Sequence, residues 1–293
     1  MIEMDLSQEQ IQKYNDDGYL VIPSFLTSDE LDNLRRNSQK ILKEFDTSDI
    51  KIFTTDKQND VLDQYFLDSA ENVSCFFEEN AFDEEGRLNR KKELAINKVG
   101  HAMHDLEPEC EKVSYSNKIY TLLKSIGIED PILVQSQYIF KQPRIGAEVH
   151  AHTDSTFIYT EPLTCIAIWM AMEDATVENG CLCIIPGSHK TYPLQQKYTK
   201  TSDGKGTEFH DTPFERVNWD LTRLTALEVK KGDLVLMHGE VVHASYQNKS
   251  EKSRHSFILH AVDANAKWPK DNWLQRSSEL PFRKMKDVVD QIN

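Results

Sequence analysis

Ile132-Leu133-Val134-Gln135-Ser136-Gln137-Tyr138-Ile139-Phe140 is strand-like in its β-branched and aromatic content, and the reading of the fold starts there. Thr164-Cys165-Ile166-Ala167-Ile168-Trp169-Met170 repeats the type. The turn signal Asn179-Gly180 then precedes Cys181-Leu182-Cys183-Ile184-Ile185, which Pro186-Gly187-Ser188 closes. Leu227-Glu228-Val229 and Leu234-Val235-Leu236-Met237 flank Lys230-Lys231-Gly232-Asp233 and read as two strands around a Gly-bearing turn. A last strand is expected near Ser256-Phe257-Ile258-Leu259-His260. Many short strands separated by turn signals favour a β-sandwich or barrel.

Upstream the periodicity is helical. Ser7 with Gln10 and Thr27 with Glu30 have capping-box spacing, the first opening a helix that stops before Gly18. Between them Tyr19-Leu20-Val21-Ile22-Pro23 is a brief extended piece. From Ser28 towards Phe45, Leu31, Leu34, Ile41, Leu42 and Phe45 recur at roughly helical spacing and read as packing. Residues 47–90, rich in Asp, Glu, Asn and Ser, predict a solvated, loop-rich segment, and another helix is expected from Pro108 to Ile126. The polar stretch from His189 to Thr222 is long for a connection and suggests a lid over the mouth of the β-structure.

Composition bounds the function. The chain has 293 residues and a formal net charge of −14, against the clustered basic surface that nucleic-acid binding needs. Small molecules or proteins are the expected partners. The opening residues lack a secretory or transit pattern, no stretch approaches a membrane span, and the C-terminal residues are not a peroxisomal tripeptide, so a cytoplasmic location is expected. Five scattered cysteines without a Cys-x-x-Cys pair fit reduced thiols. Cys181 and Cys183, on one strand face, are read as buried core thiols rather than a soft metal site.

His152-Thr153-Asp154 carries the chemistry. Among ten histidines chance alone supplies about one His-x-Asp, so the context matters. Residues i and i+2 of a strand project to one face, which lets His152 and Asp154 bind one ion. Two imidazoles and one carboxylate are the facial set of non-haem Fe(II), with three coordination positions left open. The third ligand would come from a distant strand, where His238, His243 and His260 offer themselves. His243 is favoured by Ala244-Ser245 after it and by Arg254 opening the next strand. His150 competes with His152 because it shares the same strand face. Arg254 can offer a planar fork to the far carboxylate of a dicarboxylate co-substrate, and Ser245 and Ser256 can add hydroxyls beside it.

Several segments together resemble the phytanoyl-CoA dioxygenase family of Fe(II)/2-oxoglutarate oxygenases. They are Gln135 to Pro143, His152-Thr153-Asp154, Glu178-Asn179-Gly180-Cys181-Leu182, Ile185-Pro186-Gly187-Ser188-His189 and His243-Ala244-Ser245. The likeness extends to the opening Gln-rich helix, Phe76-Phe77-Glu78 and Ile96-Asn97-Lys98-Val99-Gly100-His101. It implies a mainly β fold with flanking helices around a double-stranded β-helix, the cupin-like jelly roll. One domain over 1–293 is implied, its helical buttress mainly 1–128 and its core mainly 130–265.

The resemblance further implies Fe(II) on His152, Asp154 and His243, with co-substrate contacts at Lys98, Trp169, Ser245 and Arg254. Relatives usually carry Met where this chain has Gln137, which makes Gln137 a co-substrate contact of altered chemistry. The implied reaction takes 2-oxoglutarate and O2 to succinate and CO2, with ascorbate in support, and hydroxylates a small-molecule or lipid-derived substrate. Related halogenases lack the carboxylate that Asp154 supplies, so its presence favours hydroxylation. His101 and His104 lie near Lys98 and are read first as structural. Two rival readings are a metal-dependent cupin enzyme that does not use 2-oxoglutarate and a non-catalytic jelly-roll binding protein. Neither the oxidised substrate nor the oligomeric state is legible.

Overall fold

The computed structural model describes residues 5–46 and 60–292. Thirteen strands are found among them: β1 Tyr19–Ile22, β2 Val73–Phe77, β3 Ile96–His101, β4 Pro131–Ile139, β5 Val149–His152, β6 Ile166–Ala171, β7 Leu182–Ile184, β8 Gln196–Lys200, β9 Thr207–Asp211, β10 Thr225–Leu227, β11 Leu234–His238, β12 His243–Ser245 and β13 Ser256–Asp263. A seven-stranded sheet has the order β1-β11-β6-β13-β4-β3-β2 and faces a four-stranded one, β10-β7-β12-β5, while β8 and β9 form a separate hairpin. The chain alternates between the sheets from β4 to β7 and again from β10 to β13, and the pairings are antiparallel. This is the jelly roll, with helices along one side.

Period-two alternation sorts the residues of β6. Ala167, Trp169 and Ala171 point between the two sheets and pack with Leu182, Ile184, Val235, Met237 and Ile258. Ile168 and Met170 point outward, into a larger core shared with the helices Ser28–Glu44, Pro108–Ser114, Asn117–Ser125 and Met285–Ile292. A strand covered on both faces has no polar side to present, which is why this segment reads as continuously apolar. Both capping boxes form, Ser7 with Gln10 and Thr27 with Glu30, each stabilising its helix start by about 1 kcal/mol.

Local departures from the sequence reading have local causes. The helix expected over Pro108–Ile126 is two, because Tyr115 turns inward to donate to Asp105 (2.8 Å) and Ser116 adopts the extended backbone that starts a new helix. The segment 47–90, expected as loop, contains the helix Asp60–Asp68 and strand β2. Its Phe76 and Phe77 are buried on the sheet edge, so apolar content overrides polar surroundings; residues 47–59 of that segment lie outside the described residues. The strand expected at 227–229 sits slightly earlier, at Thr225–Leu227, with Val229 making an isolated bridge to Ala175. The stretch 189–222 includes the β8–β9 hairpin.

Candidate metal and co-substrate site

His152 ends β5 and His243 opens β12, and the two are direct cross-strand partners. Their ring centroids stand 4.3 Å apart. Asp154 is not on the strand: β5 stops at His152, and Asp154 opens a 3-10 turn anchored by Ser155 N–H to Gly239 O at 2.8 Å. Thr153 keeps an extended backbone, φ −122° and ψ 140°, so the two-residue alternation still delivers Asp154 beside His152.

The Nε2 atoms of His152 and His243 lie 3.6 and 3.7 Å from Asp154 Oδ1. These separations are too long for good hydrogen bonds. Ligand atoms about 2.1 Å from an ion and at right angles to each other stand about 3 Å apart, so a small inward shift would seat one ion. All three donor atoms lie within 4.8 Å of one another, and Asp154 Oδ2 is buried without a hydrogen-bond partner. Each imidazole is fixed from behind: Nδ1 of His152 lies 2.8 Å from His150 O, and Nδ1 of His243 3.1 Å from Val241 O. A proton on Nδ1 donated to a carbonyl leaves the Nε2 lone pair facing the site. Donor set and orientation both fit a divalent transition metal.

Electrostatics follow from burial and crowding. Burial pushes the Asp154 carboxyl up, but His243, His260 and His152 reverse the effect and hold it well below the ordinary range. Burial, and then His152, pushes His243 down to about 4. His150, the rival ligand, is a solvent-facing residue 3.5 Å from Glu148; its carbonyl, not its ring, serves the site. His238 accepts from Glu240 N–H and packs against His189 and Tyr14. His260 does reach Asp154, its Nε2 3.5 Å from Oδ1.

Arg254 is 2% exposed. Its Nε donates to Gly180 O (3.0 Å), Nη1 to Ser256 Oγ (2.9 Å) and Nη2 to Ser245 Oγ (3.1 Å), and its guanidinium lies 5.5 Å from the centre of the Trp169 ring. Among the described residues no carboxylate comes within ion-pair distance of it. Every hydrogen-bond acceptor is neutral, and burial pushes even this guanidinium down to about 10. Gly180 has φ +81°, and its carbonyl also accepts from Ser245 Oγ at 2.9 Å. A Cβ there would strike the Lys141 side chain and approach Tyr246 O to 2.5 Å.

The remaining candidates divide. On β3 Lys98 is buried beside the rings of Phe76 and Phe66, 5.3 and 6.0 Å from their centres, and burial pushes its ammonium down to about 7. Gln137 donates to Gln135 Oε1 at 2.9 Å. His101 Nδ1 is 2.7 Å from Ser69 Oγ, within an aromatic group of Phe66, Phe76 and Trp273. His104 Nδ1 is 2.8 Å from Ser136 Oγ and its Nε2 3.1 Å from Asp105, a structural role. Sequence reasoning missed Lys141, fully buried with Nζ donating to Ala147 O and Ser245 O, and nothing in Lys141-Gln142-Pro143 signals it. It also missed Phe157, whose ring meets His152 edge-on at 5.9 Å and carries Tyr198 and Phe209 of the hairpin at 5.5 and 6.0 Å.

Comparison with known proteins agrees with this geometry. The family model described as phytanoyl-CoA dioxygenase (PhyH) matches residues 14–256. A phytanoyl-CoA dioxygenase of Arabidopsis thaliana is 43% identical over 273 residues, covering 93% of this chain and 94% of the relative. A Dictyostelium discoideum homologue of phytanoyl-CoA dioxygenase domain-containing protein 1 is 44% identical, covering 96% and 99%. Among solved structures, the non-heme alpha ketoglutarate dependent carbocyclase SnoK from nogalamycin biosynthesis shares the fold at TM-score 0.65 and 17% identity, covering 96% of this chain and 99% of that one. The epimerase SnoN, solved in complex with Fe3+, alpha ketoglutarate and nogalamycin RO, does so at TM-score 0.62 and 16% identity, covering 94% and 93%. With a family match over most of its length, this chain belongs to the phytanoyl-CoA dioxygenase family and is an oxygenase of the 2-oxoglutarate-dependent kind.

Proposed function

We propose that the protein hydroxylates a small-molecule or lipid-derived substrate, consuming 2-oxoglutarate and O2 and releasing succinate and CO2. The observation that carries this reading is Arg254. A guanidinium removed from water and surrounded only by neutral acceptors is costly unless an anion joins it. The far carboxylate of 2-oxoglutarate matches that guanidinium in charge and in its two-oxygen fork.

In this reading His152, Asp154 and His243 hold Fe(II), which supplies oxygen activation when bound. Arg254, Ser245 and Ser256 clamp the far carboxylate, Trp169 walls the same space, and Lys98 and Gln137 add a cation and an amide along the inner face of the large sheet. With Asp154 filling the coordination position that a halide would need, hydroxyl transfer is favoured over halogenation. Phe157, Tyr198 and Phe209 exclude water from the side of His152, and the stretch 189–222 acts as a partial cover. We assign the whole chain to one catalytic domain. No helix among the described residues is long and apolar enough to cross a membrane, and the five cysteines are unpaired and buried, which supports a reducing, cytoplasmic location testable by fractionation.

The test is incubation of the purified protein with Fe(II), ascorbate, 2-oxoglutarate and a metabolite extract, measuring succinate and any compound that gains one oxygen. Iron-dependent succinate is expected, and Asp154→Ala should abolish it. Undiminished turnover by that variant would sink the metal assignment, and an Arg254→Ala variant with full activity would point to a metal enzyme that does not use 2-oxoglutarate.

A further inference from the structure

The inward positions of β13 run Ser256, Ile258, His260, so the strand that begins beside Arg254 carries, four residues on, an imidazole that faces Asp154. His260 Nε2 is 3.5 Å from Asp154 Oδ1, as near as the two imidazoles of the proposed ligand set. Yet the donor atoms able to share one ion are those of His152, Asp154 and His243, without His260. The third imidazole therefore reaches the carboxylate without converging on the metal position.

The tautomer follows from its neighbours. His260 is buried, and its Nδ1 has no hydrogen-bond partner. An unprotonated Nε2 would set its lone pair against those of the carboxylate and strand a buried N–H at Nδ1. A proton on Nε2 turns the first contact into an attraction and leaves only an acceptor unpaired. The ring cannot easily retreat, because β13 is paired on both sides, with Gln135 and Ala167 directly across from residue 260.

We propose that His260 is a positioning residue for the metal: its Nε2–H faces Asp154 Oδ1 at 3.5 Å, the outer edge of hydrogen-bond reach, and its attraction biases the carboxylate towards the orientation that iron requires. This rests on the metal assignment made above. Groups that orient a ligating side chain in this way are typically worth ~10–100-fold in metal affinity. The role differs from that of His152 and His243, which are themselves oriented by the carbonyls of His150 and Val241.

Anaerobic titration of the iron-free protein with Fe(II), against a chromogenic chelator, tests it in the wild type and in His260→Gln, His260→Asn and His260→Leu. The Gln amide nitrogen falls near the imidazole Nε2, whereas the Asn amide falls near Nδ1 and cannot reach Asp154. The Gln variant should bind Fe(II) close to the wild type, and the Asn and Leu variants ~10–100-fold more weakly. The visible band of the Fe(II)–2-oxoglutarate complex should shift in Asn and Leu but not in Gln. Equal affinities across the three variants, at wild-type strength or below it, overturn the proposal. Should the Leu variant fail to fold, the Gln and Asn pair decides alone. A wild type that does not bind Fe(II) sinks the metal assignment instead, and is read first.

Discussion

Among the described residues, two guanidinium networks reach into the interior, and they are built in opposite ways. Around Asp105, 1% exposed at its side chain, every cation meets an anion: Arg283 reaches its Oδ1 at 2.8 Å and Glu111 at 2.8 Å, Arg276 lies 3.4 Å from its Oδ2, and Tyr115 and His104 complete the shell. Burial works against the Asp105 charge, but His104, Tyr115 and Arg276 hold its carboxyl well below the ordinary range. Around Arg254 the acceptors are two hydroxyls and a carbonyl. A buried charge with its counter-ion built in joins the C-terminal segment to the helices. One left with neutral partners is the place for an ionic ligand.

Removing charge should separate the two most sharply at Asp105. Asp105→Ala strands the buried Arg276 guanidinium and leaves Arg283 with Glu111 alone, and should cost about 3–5 kcal/mol in urea denaturation of the iron-free protein. If stability holds, the first network is not what joins these elements. Arg254→Met should behave in the reverse manner, changing that stability by less than about 1 kcal/mol while weakening 2-oxoglutarate binding by about 2–5 kcal/mol in calorimetry. Arg254→Lys keeps the charge but loses the fork, and should fall between. Equal affinities in all three proteins would break the comparison.

A pH dependence at Lys98 is the most gradual effect, spread over several pH units. Lys98 is pushed down from 10.5 to about 7 in the folded protein. Between those values the unfolded chain carries a proton that the folded one lacks, so stability should rise with pH across that window, by at most ~1.4 kcal/mol per pH unit. Below pH 7 both states are protonated and this contribution stays flat. Thermal melts of the ligand-free protein from pH 7 to 10 should show the rise, and Lys98→Met should flatten it.

Much of this was legible in the sequence because period-two alternation is robust. It brought His152 and Asp154 to one place, even though the strand ends between them and one extended residue carries the pattern on. The same alternation, continued from Ser256 through Ile258, also reaches His260, which sequence reading had weighed only as a rival third ligand. Lys141 was not legible, since a lysine in a polar stretch gives no sign that tertiary packing will bury it. Nor was the break at Tyr115 and Ser116, where a phenol drawn to Asp105, ten residues earlier, overrides local helical periodicity. The Asp105 network itself joins Glu111 to Arg276 and Arg283, and nothing local announces a pairing over that distance.

Gly180 first drew notice as punctuation between strands. Because its single carbonyl takes bonds from both Arg254 and Ser245, the main chain anchors the Nε side of the guanidinium and one of the two hydroxyls that hold the rest. Phe157, Tyr198 and Phe209, packed in turn from the His152 ring outward, share none of those bonds. In the proposed reading, the clamp for the shared co-substrate and the aromatic wall beside His152 are thus separate parts, and the second can be remodelled towards a new molecule without re-aiming the first.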